Sequence, residues 1–272
     1  YQREGEDYDF EITDEAILRH FGFMGVEFSS SNYIKPQERA VIAENTLVAY
    51  TDMAKIIGLP TNAIGLGGQL GLTIGRHGGG ARAAAFYDPR QFDNHGNGEY
   101  VNVGGYINIT RSKGLGTCAH EWAHALDNYL IDKDEITGNP KMPSSLNNYQ
   151  IDQLNIRDEL KDAYKKINKV LDRSGMAKRC RALPTPAARK YWSDPAELFA
   201  RGFEAYVKEK GQQLGIRNDF LVNVRSEQEF AAATGLGKKL YPYPTKEEMP
   251  QIMEAYDDFL STLQQRTVEK VV

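Results

Sequence analysis

The sequence predicts an α+β fold in which a small twisted sheet packs on one amphipathic helix, joined to a largely helical C-terminal part. Residues 60–113 are rich in glycine and hold short apolar runs between glycines, which favour strands. Residues 114–130 place apolar side chains on one face at a spacing of three and four, as a helix does. The strand candidates are 72–75, 83–88 and 106–110.

Two helices are predicted before the sheet. Thr13 is suited to cap a short helix over residues 13–22, because a threonine oxygen accepts hydrogen bonds from the first turn. Residues 36–57 repeat apolar side chains with helical spacing and stop at a Gly-Leu-Pro sequence. The stretch FGFMGVEF, residues 21–28, is expected to form a compact aromatic turn.

The second half of the chain is predicted to be helical, with a less regular stretch at 139–189 that suits a lid or an insertion. An apolar stripe of Leu160, Tyr164, Ile167 and Leu171 indicates one helix, and the basic segment 179–190 is expected to be a loop. A core helix is expected over about 245–265. We expect one domain over residues 1–272, built from parts 1–138 and 139–272 and cut from a longer protein, since the chain does not begin with Met.

Composition limits the classes of function. The chain is 26% charged and 41% hydrophobic with a net charge of −4, and no apolar run reaches the length of a membrane helix. This predicts a cytoplasmic protein with no membrane contact, and two cysteines, Cys118 and Cys180, do not make a disulfide framework. Nucleic acid is expected to bind only through other domains, the basic run 178–181 being the one local patch left open. The glycine run 75–81 matches no phosphate-binding pattern.

The residues that carry chemistry lie in the helix at 114–130, which contains the HExxH pattern of zinc peptidases. At about 100° per residue, His120 and His124 lie about 40° apart and can ligate one Zn²⁺ through neutral nitrogens. Glu121 lies beside the metal without ligating it and becomes the general base for a zinc-bound water. Asp127 is expected either to orient a ligand histidine or to be an ordinary exposed aspartate. A chance match in a polar helix is the alternative to the whole site.

A catalytic zinc needs a third protein ligand. Asp127 and Leu130 replace the glycine and histidine of the metzincin pattern, which excludes that solution. Glu197 is the better candidate, because it lies on a narrow polar strip of a predicted helix that Asp194 caps. The strip consists of Glu197, Arg201, Glu204 and Lys208. The alternative is that Glu197 closes a capping box with Asp194. The other histidines are weaker candidates: His20, His77 and His95.

Two motifs, HEWAHALDNY at 120–129 and PAELFARGFEAYV at 195–207, resemble those of anthrax-toxin lethal-factor-like gluzincins. That resemblance implies that Glu197 completes the zinc site and that Tyr191, whose spacing departs by about one residue, assists the transition state. Together with FGFMGVEF, the glycine-rich strands and YPYPTKEEMP, these motifs resemble the large polyvalent protein-associated domain of the first kind. The resemblance implies a zincin-like module of the multidomain proteins of phages and conjugative elements, acting in a bacterial cytoplasm and with a role in defending incoming DNA.

The function expected from motifs and resemblance together is zinc-dependent hydrolysis of peptide bonds in a protein substrate. The absence of the aminopeptidase GxMEN signature favours an endopeptidase. The strand at 106–110 is expected to align an extended substrate peptide by β-augmentation. Two alternatives stay open: a catalytically silent scaffold that binds a partner or DNA within a larger effector, and a zinc hydrolase that acts on something other than a peptide.

Overall fold

A computed structural model describes residues 2–9, 11–28, 36–74, 85–88, 91–93, 100–102, 105–109, 116–130, 142–235 and 237–269. It is an α+β protein, with most of the described chain in helices and the strands in small sheets. The chain divides into two compact units: Tyr1–Tyr129 with Lys133–Pro140 and Lys210–Asn223, and Leu130–Asp132 with Lys141–Glu209 and Val224–Val272. No helix in the described ranges is long and apolar enough to cross a bilayer.

The first unit is built on a four-stranded sheet. In chain order its elements are β1 (Arg3–Glu4), α1 (Asp14–Phe21), β2 (Gly25–Phe28), α2 (Pro36–Ile57), β3 (Leu70–Ile74), β4 (Ala85–Asp88), β5 (Gln91–Asp93), β6 (Tyr100–Asn102), β7 (Gly105–Ile109) and α3 (Cys118–Tyr129). The order of the main sheet is β2-β3-β7-β4, with β4 antiparallel to its neighbour and the other pairings parallel. The central strands β3 and β7 are buried along their whole length, and α3 packs on β4 and β7.

The second unit is helical. Its elements are α4 (Asn148–Asp152), α5 (Asp158–Arg173), α6 (Gly175–Arg181), α7 (Pro186–Trp192), most of α8 (Pro195–Gln213), α9 (Glu227–Thr234) and α10 (Met249–Glu269); β8 (Arg217–Asn218) belongs to the first unit and pairs with β1. The helices α5, α8 and α10 share an aromatic core in which Tyr164 contacts Phe199 and Phe259. The predicted stripe of α5 is confirmed, since all four of its residues are buried.

The predicted helices α1 and α2 are confirmed, and Thr13 accepts a hydrogen bond from the backbone N–H of Ala16 at 3.2 Å. The predicted strands at 72–75, 83–88 and 106–110 are present as β3, β4 and β7, although Gly75, residues 83–84 and Thr110 lie outside the described residues. The predicted turn at 21–28 is wrong in its second half. Its residues form β2, because parallel pairing with β3 supplies hydrogen-bond partners that the local sequence does not reveal.

The predicted basic loop at 179–190 is also wrong over most of its length. It contains the end of α6 and the start of α7, whose N-termini are capped by the side chains of Ser174 and Thr185. Cys180 is therefore a buried helix residue. Within the basic run 178–181, Arg179 forms an ion pair with Glu248 at 2.7 Å and Arg181 forms one with Asp172. A nucleic-acid patch there stays a prediction.

Candidate metal centre

The helix α3 brings His120 and His124 together. Their Nε2 atoms are 3.1 Å apart, and their rings meet edge to face with centroids 4.7 Å apart. Two nitrogens that bind one tetrahedral zinc at about 2.0–2.1 Å are about 3.3 Å apart, so the pair has the separation that a shared metal requires. A direct hydrogen bond between two imidazoles has the same length, and that is the metal-free alternative.

The helix begins later than predicted. Gly116 has φ +79°, a left-handed conformation that a right-handed helix does not contain, and α3 starts after it, at Cys118. A Cβ on Gly116 would also lie 2.2 Å from Cβ of Asn223, so only glycine fits there. Residues 114–115 lie outside the described residues. The predicted apolar face is buried from Cys118 to Leu126, and Trp122 donates through Nε1 to the carbonyl oxygen of Ile64 at 2.9 Å. This contact fixes the rotation of the helix.

The polar face of α3 is buried as well. Glu121 is 8% exposed, His124 9% and Asp127 0%. An ordinary exposed aspartate is thereby excluded for Asp127, and its role in orienting a histidine stays a prediction. Burial raises the pKa of the neighbouring Cys118 thiol and the charge of Glu121 raises it further, so this thiol stays protonated and is no thiolate ligand.

Glu121 lies against the edge of the sheet. Its Oε2 accepts a hydrogen bond of 2.8 Å from the backbone N–H of Tyr87 in β4. Both sides of β7 are occupied, by β3 and by β4, so the prediction that the 106–110 strand aligns a substrate is wrong. The strand that contacts Glu121 is β4. The sequence predicts this strand but not its place beside Glu121, because the order of strands in a sheet is not encoded locally.

Glu197 lies in the first turn of α8, on the second unit. Its Oε2 accepts from the guanidinium of Arg201 at 3.3 Å. Asp194 caps the helix by accepting from the N–H of Ala196 at 3.0 Å. The N–H of Asp194 that a capping box would use donates instead to the carbonyl oxygen of Tyr191 at 3.3 Å, which argues against the capping-box alternative.

Arg201 was predicted only as a member of the polar strip, yet it is 1% exposed. Its guanidinium lies 4.7 Å from the ring centroid of Trp192 and donates to the carbonyl oxygen of the same residue. Glu204, next on the strip, is 4% exposed. Burial, and secondly the negative charge of Glu204, raises the pKa of Tyr243. The strip is thus a buried polar network of the second unit.

The structure places the other predicted residues as follows. Tyr191 is 53% exposed on α7, with its ring edge-on to Trp192 at 5.7 Å, and its role in the transition state stays a prediction. His20 is exposed on α1, while His77 and His95 lie outside the described residues. Within the described part of the chain, one group of histidine, cysteine and acidic side chains is suited to hold a metal ion: His120, His124 and Glu197.

Fold and site define an α+β protein with a His-His-Glu group suited to a metal. Residues 185–267, which include Glu197 and its helix, match the family model described as large polyvalent protein-associated domain 1. The recognition of this domain from the sequence is confirmed for that segment, and the match lies outside the HExxH helix. No curated protein and no solved structure matches the chain.

Proposed function

We propose that this chain is a zincin-like, zinc-dependent peptidase in which His120, His124 and Glu197 hold the metal. The observation that carries the proposal is the 3.1 Å separation of the two Nε2 atoms on a helix whose intervening glutamate is buried beside them. Two imidazoles and a carboxylate are the donor set of many catalytic zinc sites. The gluzincin-like motifs at 120–129 and 195–207 support the same assignment.

The role proposed for each residue comes from the motif to which it belongs. Zinc, when bound, supplies a Lewis acid that polarises a carbonyl and makes water acidic. Glu121 takes the proton from the attacking water and gives it to the leaving amine, so that one carboxylate acts first as base and then as acid. Tyr191 donates its hydroxyl proton toward the oxygen that becomes negative in the transition state.

The substrate proposed is a protein or peptide that is cleaved internally. The low exposure of Glu121 supports chemistry in a site that excludes most water. A cytoplasmic site of action in a bacterial host, and membership of a longer phage or mobile-element protein, belong to the proposal only as what the resemblance to the large polyvalent protein-associated domain implies.

The test is cleavage profiling on a bacterial proteome with the zinc-loaded protein and its Glu121→Gln variant. Glutamine cannot accept the proton, so the variant is expected to keep its zinc and lose nearly all cleavage. Tyr191→Phe is expected to keep zinc and lose about 10²- to 10³-fold in kcat. Wild-type cleavage by Glu121→Gln contradicts the mechanism. A Glu121→Gln protein that keeps every biological effect supports the silent scaffold instead.

A further inference from the structure

Tyr87 contacts the HExxH helix at two points. Its backbone N–H donates to Oε2 of Glu121 at 2.8 Å, and its hydroxyl donates to Oδ1 of Asn128 at 2.8 Å. Both acceptors belong to α3, whereas Tyr87 belongs to the edge strand β4. One residue of the sheet therefore holds the helix through its backbone and through its side chain.

The spacing of the two acceptors explains how one tyrosine reaches both. Glu121 and Asn128 are seven residues apart, which places them on the same side of α3, about 20° apart and about two turns along the axis. The backbone N–H of Tyr87 reaches Glu121, and its side chain reaches Asn128 two turns further along the helix. Asn128 is 7% exposed, so its hydrogen bond is shielded from competing water.

The neighbouring strand β7 leaves room for the ring of Tyr87 at Gly105. A Cβ on Gly105 would lie 2.2 Å from the Tyr87 hydroxyl oxygen, so no other residue fits there without moving the ring. Burial raises the pKa of the Tyr87 hydroxyl, with a smaller contribution from the charge of Asp88. The hydroxyl is thus a neutral donor throughout the physiological pH range.

We propose that Tyr87 is a positioning residue for the general base of this site. A carboxylate has two oxygens in one plane, so an N–H bound to Oε2 fixes the direction of Oε1. The hydrogen bond to Asn128 fixes the place of that N–H relative to α3. This inference rests on the proposed function of Glu121, and it assigns to the edge strand a part in orienting the base.

The variants are Tyr87→Phe and Asn128→Leu, which each remove one end of the side-chain hydrogen bond and keep the size of the residue nearly constant. Each is expected to lower kcat about fivefold, the factor that one hydrogen bond supplies, with KM and zinc content unchanged. The double variant is expected to lose no more than either single one, because both break the same contact. Tyr149→Phe is the matched control, since it also removes a tyrosine hydroxyl but Tyr149 is 75% exposed on α4.

A second readout does not need activity. Hydrogen exchange at the Tyr87 amide is expected to be slow in the wild-type protein and at least tenfold faster in Glu121→Ala, which removes its acceptor. Equal exchange in these two proteins overturns the inference, whether or not the protein cleaves peptides. Wild-type kcat in both Tyr87→Phe and Asn128→Leu overturns it as well. Slow exchange that depends on Glu121, in a protein that cleaves no peptide, would support the contact between Tyr87 and Glu121 but contradict the proposed function.

Discussion

Replacing Glu197 by alanine distinguishes two structural roles of this carboxylate: an ion pair with the buried Arg201, or a helix cap. The Arg201 side chain is 2% exposed and that of Glu197 14%, and the two are 3.3 Å apart. Removing the carboxylate leaves a buried guanidinium without its ion-pair partner, which costs about 3 kcal/mol or more, whereas losing a helix cap costs about 1 kcal/mol. We therefore expect Glu197→Ala to lower the free energy of unfolding by about 3 kcal/mol.

The assay is urea unfolding in the presence of a chelator, so that no bound metal contributes to either protein. Glu254→Gln is the control, because Glu254 forms an exposed ion pair with Lys166 at 2.9 Å and its loss should cost under about 1 kcal/mol. In an Arg201→Met background the cost of Glu197→Ala should fall to that of the control. A cost near 1 kcal/mol in both backgrounds would refute the reasoning and restore the capping box.

Two further outcomes follow from buried polar groups. Tyr50→Phe should leave stability unchanged or raise it by up to about 1 kcal/mol in thermal unfolding. The reason is that it removes a buried hydroxyl that has no hydrogen-bond partner in the described structure. A loss of stability above about 1 kcal/mol would show that the hydroxyl is hydrogen-bonded. Burial by itself raises the pKa of Glu248, but hydrogen bonds from Arg179 and from the backbone of Thr245 and Met176 outweigh it and lower the pKa. The contribution of Glu248 to stability is present above its unfolded pKa and is lost as pH falls through its folded pKa. The free energy of unfolding of Glu248→Gln should therefore depend less on pH below about 4.5 than that of the wild-type protein. An unchanged dependence on pH would exclude Glu248 as a source of acid destabilisation.

What the sequence predicts here is what short spacing encodes. The helices α2 and α5 and the His120/His124 pair follow from repeats of three and four residues, which act within one element. The strand β2, the edge strand β4 beside Glu121 and the burial of Arg201 follow from partners far away in the chain. The short helix α7 was missed because seven residues with a proline at the start carry too little periodicity to distinguish from a loop.

Metal analysis of the purified protein tests the central claim most directly. The wild-type protein is expected to hold about one zinc per chain, since two imidazoles and a carboxylate make a site for a single ion. Replacing both His120 and His124 by alanine should abolish that zinc, while Glu204→Ala, which alters a buried carboxylate of the same strip as Glu197, should retain most of it. Full zinc in the double histidine variant, or none in the wild-type protein after loading, would contradict the account.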